Sequence, residues 1–174
     1  MTSDPDAVPR YSRQPFPAYR FIPGRSPHPT RDPDGHSYDR EAPVPAGFDP
    51  ARWTECEPYM YGVDLFNHGY WWEAHEAWET CWIAAGKTTP TGLFLQGLIQ
   101  MTAACLKKHQ GHLDGAGRLL ADGLEKFPGG GELLLGIDTA MLRAELKDFF
   151  ANRRPDQPRI HLEQVRGVRS EVKG

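Results

Sequence analysis

The sequence predicts an all-α protein: an antiparallel bundle of about five helices preceded by an extended, proline-rich arm. Three observations carry this expectation. Apolar residues recur at helical spacing in five segments between about residues 58 and 152, and Gly or Pro marks most of the junctions between them. Eleven of the sixteen prolines lie in the first 50 residues, where they prevent either helix or sheet from running. No convincing strand pair, Gly-rich phosphate loop or nucleophile elbow is present. The organisation expected is an arm over residues 1–50, partly disordered, a helical domain over 51–152 and a tail over 153–174.

Taken in order, the first dozen residues read as disordered. Phe16, Tyr19, Phe21 and Ile22 are too apolar for a plain linker, and Pro23-Gly24 marks a turn. His28, Arg31, Asp32 and His36 can form a tight polar turn. Two readings of this arm stay open. It is laid across the helical domain over the Trp72/Glu76 face, or it is a tail that touches nothing. Asp49-Pro50 reads as an N-cap with proline at the first helical position, followed by a short turn through Trp53. A helix then runs from Pro58 to about Asn67, closed by Gly69 in the left-handed conformation, with Val63, Leu65 and Phe66 apolar.

The next helix, from about Tyr70 to Ala85, holds four of the five tryptophans together with His75, Glu73, Glu76 and Glu79. Tyr70, Trp71, Ala74, Ala77, Trp78, Cys81, Trp82 and Ala85 share the core sector, each large side chain stabilising by about 1.5–3 kcal/mol on burial. Glu73, Glu76, Glu79 and Thr80 fall opposite, with His75 on the seam one turn before Glu79. Trp72 and Ile83 land among the acids, where a fully solvated face would not carry them. Something is therefore expected to cover part of that sector and to enclose His75, Glu76 and Glu79 in part. Thr89 caps the third helix, which is apolar almost all round and so forms the buried centre of the bundle. Gln96 and Gln100 interrupt it, and the His75/Glu79 edge is their expected partner, with Gly97 permitting close approach there. A fourth helix spans about Leu113 to Lys126. Pro128 to Gly131 form a loop. Asp138 caps a fifth helix to about Asn152, with Met141, Leu142, Leu146, Phe149 and Phe150 inward. Ile160 and Leu162 suit a docked extended piece.

Several function classes are excluded by composition. The net charge is −3 with scattered basic residues, so there is no nucleic-acid footprint. No apolar run reaches spanning length and no signal-peptide core is seen, which points to a cytoplasmic protein without membrane contact. Cys56, Cys81 and Cys105 are odd in number and far apart in sequence, and read as reduced, buried thiols rather than disulfides or a zinc knuckle.

Leu65-Phe66-Asn67, Gly69-Tyr70, Glu73-Ala74-His75-Glu76, Trp78-Glu79 and Trp82, followed by Phe94-Leu95-Gln96-Gly97-Leu98-Ile99-Gln100, resemble the signature of the domain of unknown function 309 family. Gly111 and Gly115-Ala116 fit the same pattern. The resemblance implies a compact all-helical bundle over about residues 55–150. The proline-rich arm is similar to the extension on longer bacterial members. The resemblance implies architecture and no chemistry.

The binding cluster expected is therefore His75, Glu76, Glu79, Gln96 and Gln100, and two functions from different classes follow. The first is a non-enzymatic module that binds a small molecule or a partner protein beside that cluster. The second is a metal-dependent, hydrolytic enzyme with His75 and Glu79 as ligands to Zn, Fe or Mn and Glu73 or Glu76 as general base. A third ligand would come from His28, His36 or His109. The helix lacks the second His of the H-E-x-x-H motif and the Glu-x-x-His pair of di-iron bundles. A satisfied His–Glu network is the structural alternative to a metal. A homodimer through the tryptophan-bearing helix is compatible with the sequence.

Overall fold

The computed structural model describes residues 8–163. A 3₁₀ turn, Pro50–Glu55, leads into five helices: α1 Glu57–Asn67, α2 Trp71–Ala85, α3 Pro90–His109, α4 Leu113–Glu125 and α5 Thr139–Phe150. Two short strands, β1 Leu133–Leu134 and β2 Ile137–Asp138, sit between α4 and α5. The all-α bundle with its N-terminal arm is thus the observed architecture, and the boundaries follow from local chemistry. Asp49 accepts from Ala51 N, Thr89 from Gly92 N and Asp138 from Met141 N, each satisfying a donor that the first helical turn leaves free. Gly69 and Gly86 have positive φ, which lets the chain leave α1 and α2 sharply.

α3 packs between α2 and α4, with Phe94, Leu95, Leu98, Met101 and Cys105 buried. At the α3–α4 crossing a Cβ on Gly97 would lie 2.9 Å from Gly123 O, and one on Gly123 would lie 3.0 Å from Gly97 O. Gly97 therefore permits close approach to α4, not to α2 as its place beside Gln96 and Gln100 suggested. Trp78 is fully buried against α1, its Nε1 donating to Tyr59 O at 3.2 Å, and it packs on the face of Gly62.

The sequence shows no strand pair, yet the structure has the β1–β2 hairpin and a bridge from Ile137 to Leu162. Its two-residue turn, Leu135-Gly136, has positive φ at both positions, the geometry that a tight hairpin requires. Leu135 lacks the usual Asn or Asp signal, and its carbonyl is held by Tyr59 OH at 2.7 Å. The docked extended piece is present. Asn67 Nδ2 donates to Ile160 O at 2.8 Å, and Ile160 N donates to Asn67 Oδ1 at 2.7 Å. Met141, expected inward, is half exposed, while Leu142 and Leu146 carry the inner face of α5.

The arm is docked. Arg10 Nε, Tyr11 N and Ser12 N donate to the carboxylate of Asp64, which is fully buried in α1. Ser12 is itself buried, so the expectation of disorder through about residue 12 is corrected for residues 8–12, and residues 1–7 lie outside the described residues. Phe16 stacks on Tyr70 with ring centroids 5.0 Å apart. Phe21 and His28 both meet the Trp72 ring edge-on, at 5.3 and 5.6 Å. That contact explains why a tryptophan stands among the acids of α2: the arm, not solvent, faces it. The expected charged tail beyond residue 163 also lies outside the described residues. Among the described residues, no helix is long and apolar enough to cross a membrane.

Candidate functional site

α2 brings three of the expected site residues together. One ligand atom each from His75, Glu76 and Glu79 lies within 4.8 Å of the others. His75 Nδ1 is 3.2 Å from Glu76 Oε1 and 3.9 Å from Glu79 Oε2, the latter across one helical turn. Their side chains are 33%, 42% and 42% exposed, so the group is a half-open surface feature. The roof inferred from Trp72 is real, but it lies over Trp72 and Glu73 rather than over this trio.

Glu73, placed opposite the core by helical spacing, stands under that cover. It is buried, and its Oε1 accepts from Phe21 N at 2.8 Å and from His36 Nε2 at 2.9 Å. An ionised carboxylate can only accept, so Nε2 of His36 carries the proton of this bond. Glu73 is thereby committed to holding the arm and is not free as a base beside His75. Thr80, also expected outward, is buried and returns its hydroxyl to Ala77 O at 2.7 Å. The three candidates for a further ligand are engaged elsewhere: His36 with Glu73, His28 with the Trp72 ring, and His109 with the Trp71 ring at 5.6 Å.

Gln96 and Gln100 are half-buried, and among the described residues neither hydrogen-bonds to the trio. A Cβ on Gly123 would lie 3.3 Å from Gln100 Cβ, and one on Gly115 would lie 3.4 Å from Lys107 Cδ. The polar stripe of α3 is therefore turned toward the small residues of α4, which leave room for long side chains. Gln100 Oε1 is buried without a partner.

Residues 59–119 match the family model described as Domain of unknown function (DUF309). The chain carries a DUF309 domain. No curated protein matches the chain. The DUF309 match takes in most of α1, all of α2 and α3 and the first half of α4, and so contains the trio, Asp64 and Glu73. The arm and α5 lie outside it.

Two clefts flank the DUF309 helices. One, of about 460 Å³, lies where the start of α2, the end of α3 and the end of α5 meet, and is lined in part by Trp71, Lys108, His109, Phe149, Arg153 and Arg154. Arg153 pairs with Asp148 at 2.9 Å and Arg154 with Glu145 at 3.1 Å. Among the described residues, Lys108 has no carboxylate partner. Its Nζ donates to Asn152 Oδ1 at 2.8 Å and lies 5.1 Å from the Phe149 ring centroid. Trp71 Nε1 is buried without an acceptor. No motif marks this cleft, because its residues come from three separated segments.

The second cleft, of about 480 Å³, lies at the N-terminus of α1 and includes Cys56. The three cysteines are free, but Cys56 and Cys81 are not far apart in space: their sulfurs stand 3.8 Å from one another. Cys56 is half-buried, whereas Cys81 and Cys105 are fully buried. Burial pushes the Cys105 thiol well above its ordinary range. The hydroxyl of Tyr61, a buried residue under the arm, is pushed up to about 12, mainly by desolvation.

Proposed function

We propose that the chain is a non-enzymatic binding module that takes a small aromatic anion in the cleft lined by Trp71, Lys108 and Phe149. One observation carries the reading. A cation without a carboxylate stands at one cleft with two aromatic walls, one of them Trp71, whose indole N–H is buried without an acceptor. A carboxylate or phosphate oxygen entering the cleft would supply Lys108 with the anionic partner it lacks, beside the Trp71 ring. Trp71 and Phe149 would accommodate a flat apolar body, in keeping with ligand sites that combine apolar walls with a few fixed polar groups. The cleft, rather than the trio and its glutamines, thus becomes the ligand site of the binding module expected from sequence.

An NMR titration with benzoate tests this. The Trp71 indole N–H resonance should shift and saturate in the range of about 1 mM, a weak affinity of roughly 4 kcal/mol. The shift should disappear in Lys108→Ala. An unmoved resonance, or an equal shift in the variant, would overturn the assignment.

A second reading rests on the approach of His75, Glu76 and Glu79. One imidazole and two carboxylates suit Zn, Fe or Mn, with open positions for water on the exposed side. Glu73 is engaged by the arm, so a hydrolytic reaction there would leave Glu76 to act as ligand or as base, but not as both. Elemental analysis of unchelated protein separates the readings. A stoichiometric transition metal that is lost in His75→Ala supports this site, and metal-free protein of normal stability removes it.

A further inference from the structure

We infer that Cys56 and Cys81 form a redox-active dithiol, in which Cys56 attacks hydroperoxides entering from its cleft and Cys81 resolves the product into an intramolecular disulfide. This inference is independent of the anion cleft and of the metal trio. The two sulfurs lie 3.8 Å apart although 25 positions separate them in sequence. A disulfide requires about 2.05 Å. The remaining closure falls on Cys56, whose side chain is half-buried and caps no helix donor. Cys81 is fully enclosed beneath it, so a reagent arriving through the cleft between Pro43, Phe48 and Pro58 meets Cys56 first.

The surroundings of Cys56 favour a thiolate. It occupies the N-cap position of the 11-residue α1, where the helix dipole favours negative charge. A hydrogen bond from the Cys81 thiol, helped by the Tyr59 backbone N–H, draws Cys56 below the ordinary thiol range against desolvation and the nearby Glu57 carboxylate. The same pairing, with burial, pushes Cys81 up, so it stays protonated as the resolving thiol.

The chemistry balances in two steps. The Cys56 thiolate attacks one peroxide oxygen, the O–O bond breaks, and the other oxygen leaves as alkoxide or hydroxide and takes, through water, the proton that the Cys56 thiol released on ionising. Cys56 becomes a sulfenic acid, oxidised by two electrons while the peroxide is reduced to an alcohol or water. The Cys81 sulfur then attacks the Cys56 sulfur, the S–O bond breaks, and hydroxide leaves as water with the Cys81 proton. Two thiols and one hydroperoxide give one disulfide, one alcohol (or water) and one water. An external dithiol restores the pair by exchange, becoming a disulfide itself.

The test treats the native full chain with hydrogen peroxide, then alkylates it in denaturant and maps the peptides without reduction. Two of the three thiols should be lost to alkylation, recovered as one Cys56–Cys81 cross-linked peptide from monomeric protein, with Cys105 still alkylatable. In Cys81→Ser the reaction should stop at a Cys56 sulfenic acid that dimedone traps. The wild-type result stands by itself should that variant fail to fold. Three alkylatable thiols after peroxide, a cross-link only between molecules, or Cys105 oxidised first would overturn the inference.

Discussion

Asp64→Ala is expected to lower the unfolding free energy by about 3 kcal/mol, read by urea denaturation. The carboxylate has no exposed surface and accepts from Arg10 Nε at 2.8 Å, Tyr11 N at 2.8 Å and Ser12 N at 2.9 Å. A buried carboxylate is tolerated only when its lone pairs are met by donors in this way. Removing it strands two backbone donors against an apolar helix and leaves Arg10 without its partner. The arm can limit the loss by lifting off, which returns those donors to water but gives up the Phe16–Tyr70 stacking and the bond from Tyr61 OH to Pro15 O. Because lifting exposes surface that is covered before global unfolding, the urea dependence of the variant should also become shallower.

Glu73→Ala is expected to cost about 2 kcal/mol and to release the arm between Phe21 and Tyr38. Phe21 N and His36 Nε2 both rely on Glu73 Oε1, while Oε2 is buried without a partner. Glu73→Gln keeps an acceptor oxygen for the arm and places an amide where the orphaned oxygen stood, so its loss should be clearly smaller. Trypsin cleavage at Arg25 and Arg31 in folded protein should rise in the alanine variant and stay near wild type in the glutamine variant. Equal behaviour of the two variants would show that the carboxylate is not what holds this part of the arm.

The contrast between these two acids shows what was legible in the sequence. The caps at Asp49, Thr89 and Asp138 and the turn at Gly69 are local, and each is where the residue types place it. The three ligand atoms of His75, Glu76 and Glu79 share one helical turn, so spacing alone finds them. Trp72 among the acids signalled a cover, and the arm supplies it. Asp64 carried a weaker signal: one carboxylate inside the apolar run Val63-Asp64-Leu65-Phe66. Its burial comes from contacts more than 50 residues away, which no local pattern encodes. Gln100 was assigned to the wrong neighbour because a helix apolar all round does not say which polar stripe meets which partner. The Gly97–Gly123 crossing decides that, and it is a property of two helices at once. The approach of Cys56 to Cys81 and the cleft at Trp71 depend likewise on how separated elements dock.

The arm is a folded part of the same body as the helices, held by two buried carboxylates, so that α2 is covered at Trp72 and Glu73 while the His75 trio stays half-open. Amide hydrogen exchange at Ser12 and Phe21 in the native chain tests this most directly, since both amides donate to those carboxylates from buried residues. Protection of about a hundredfold or more is expected at both positions, the equivalent of roughly 3 kcal/mol of opening free energy. Exchange at the rate of an unstructured peptide at both amides, with α2 and α3 fully protected, would contradict it.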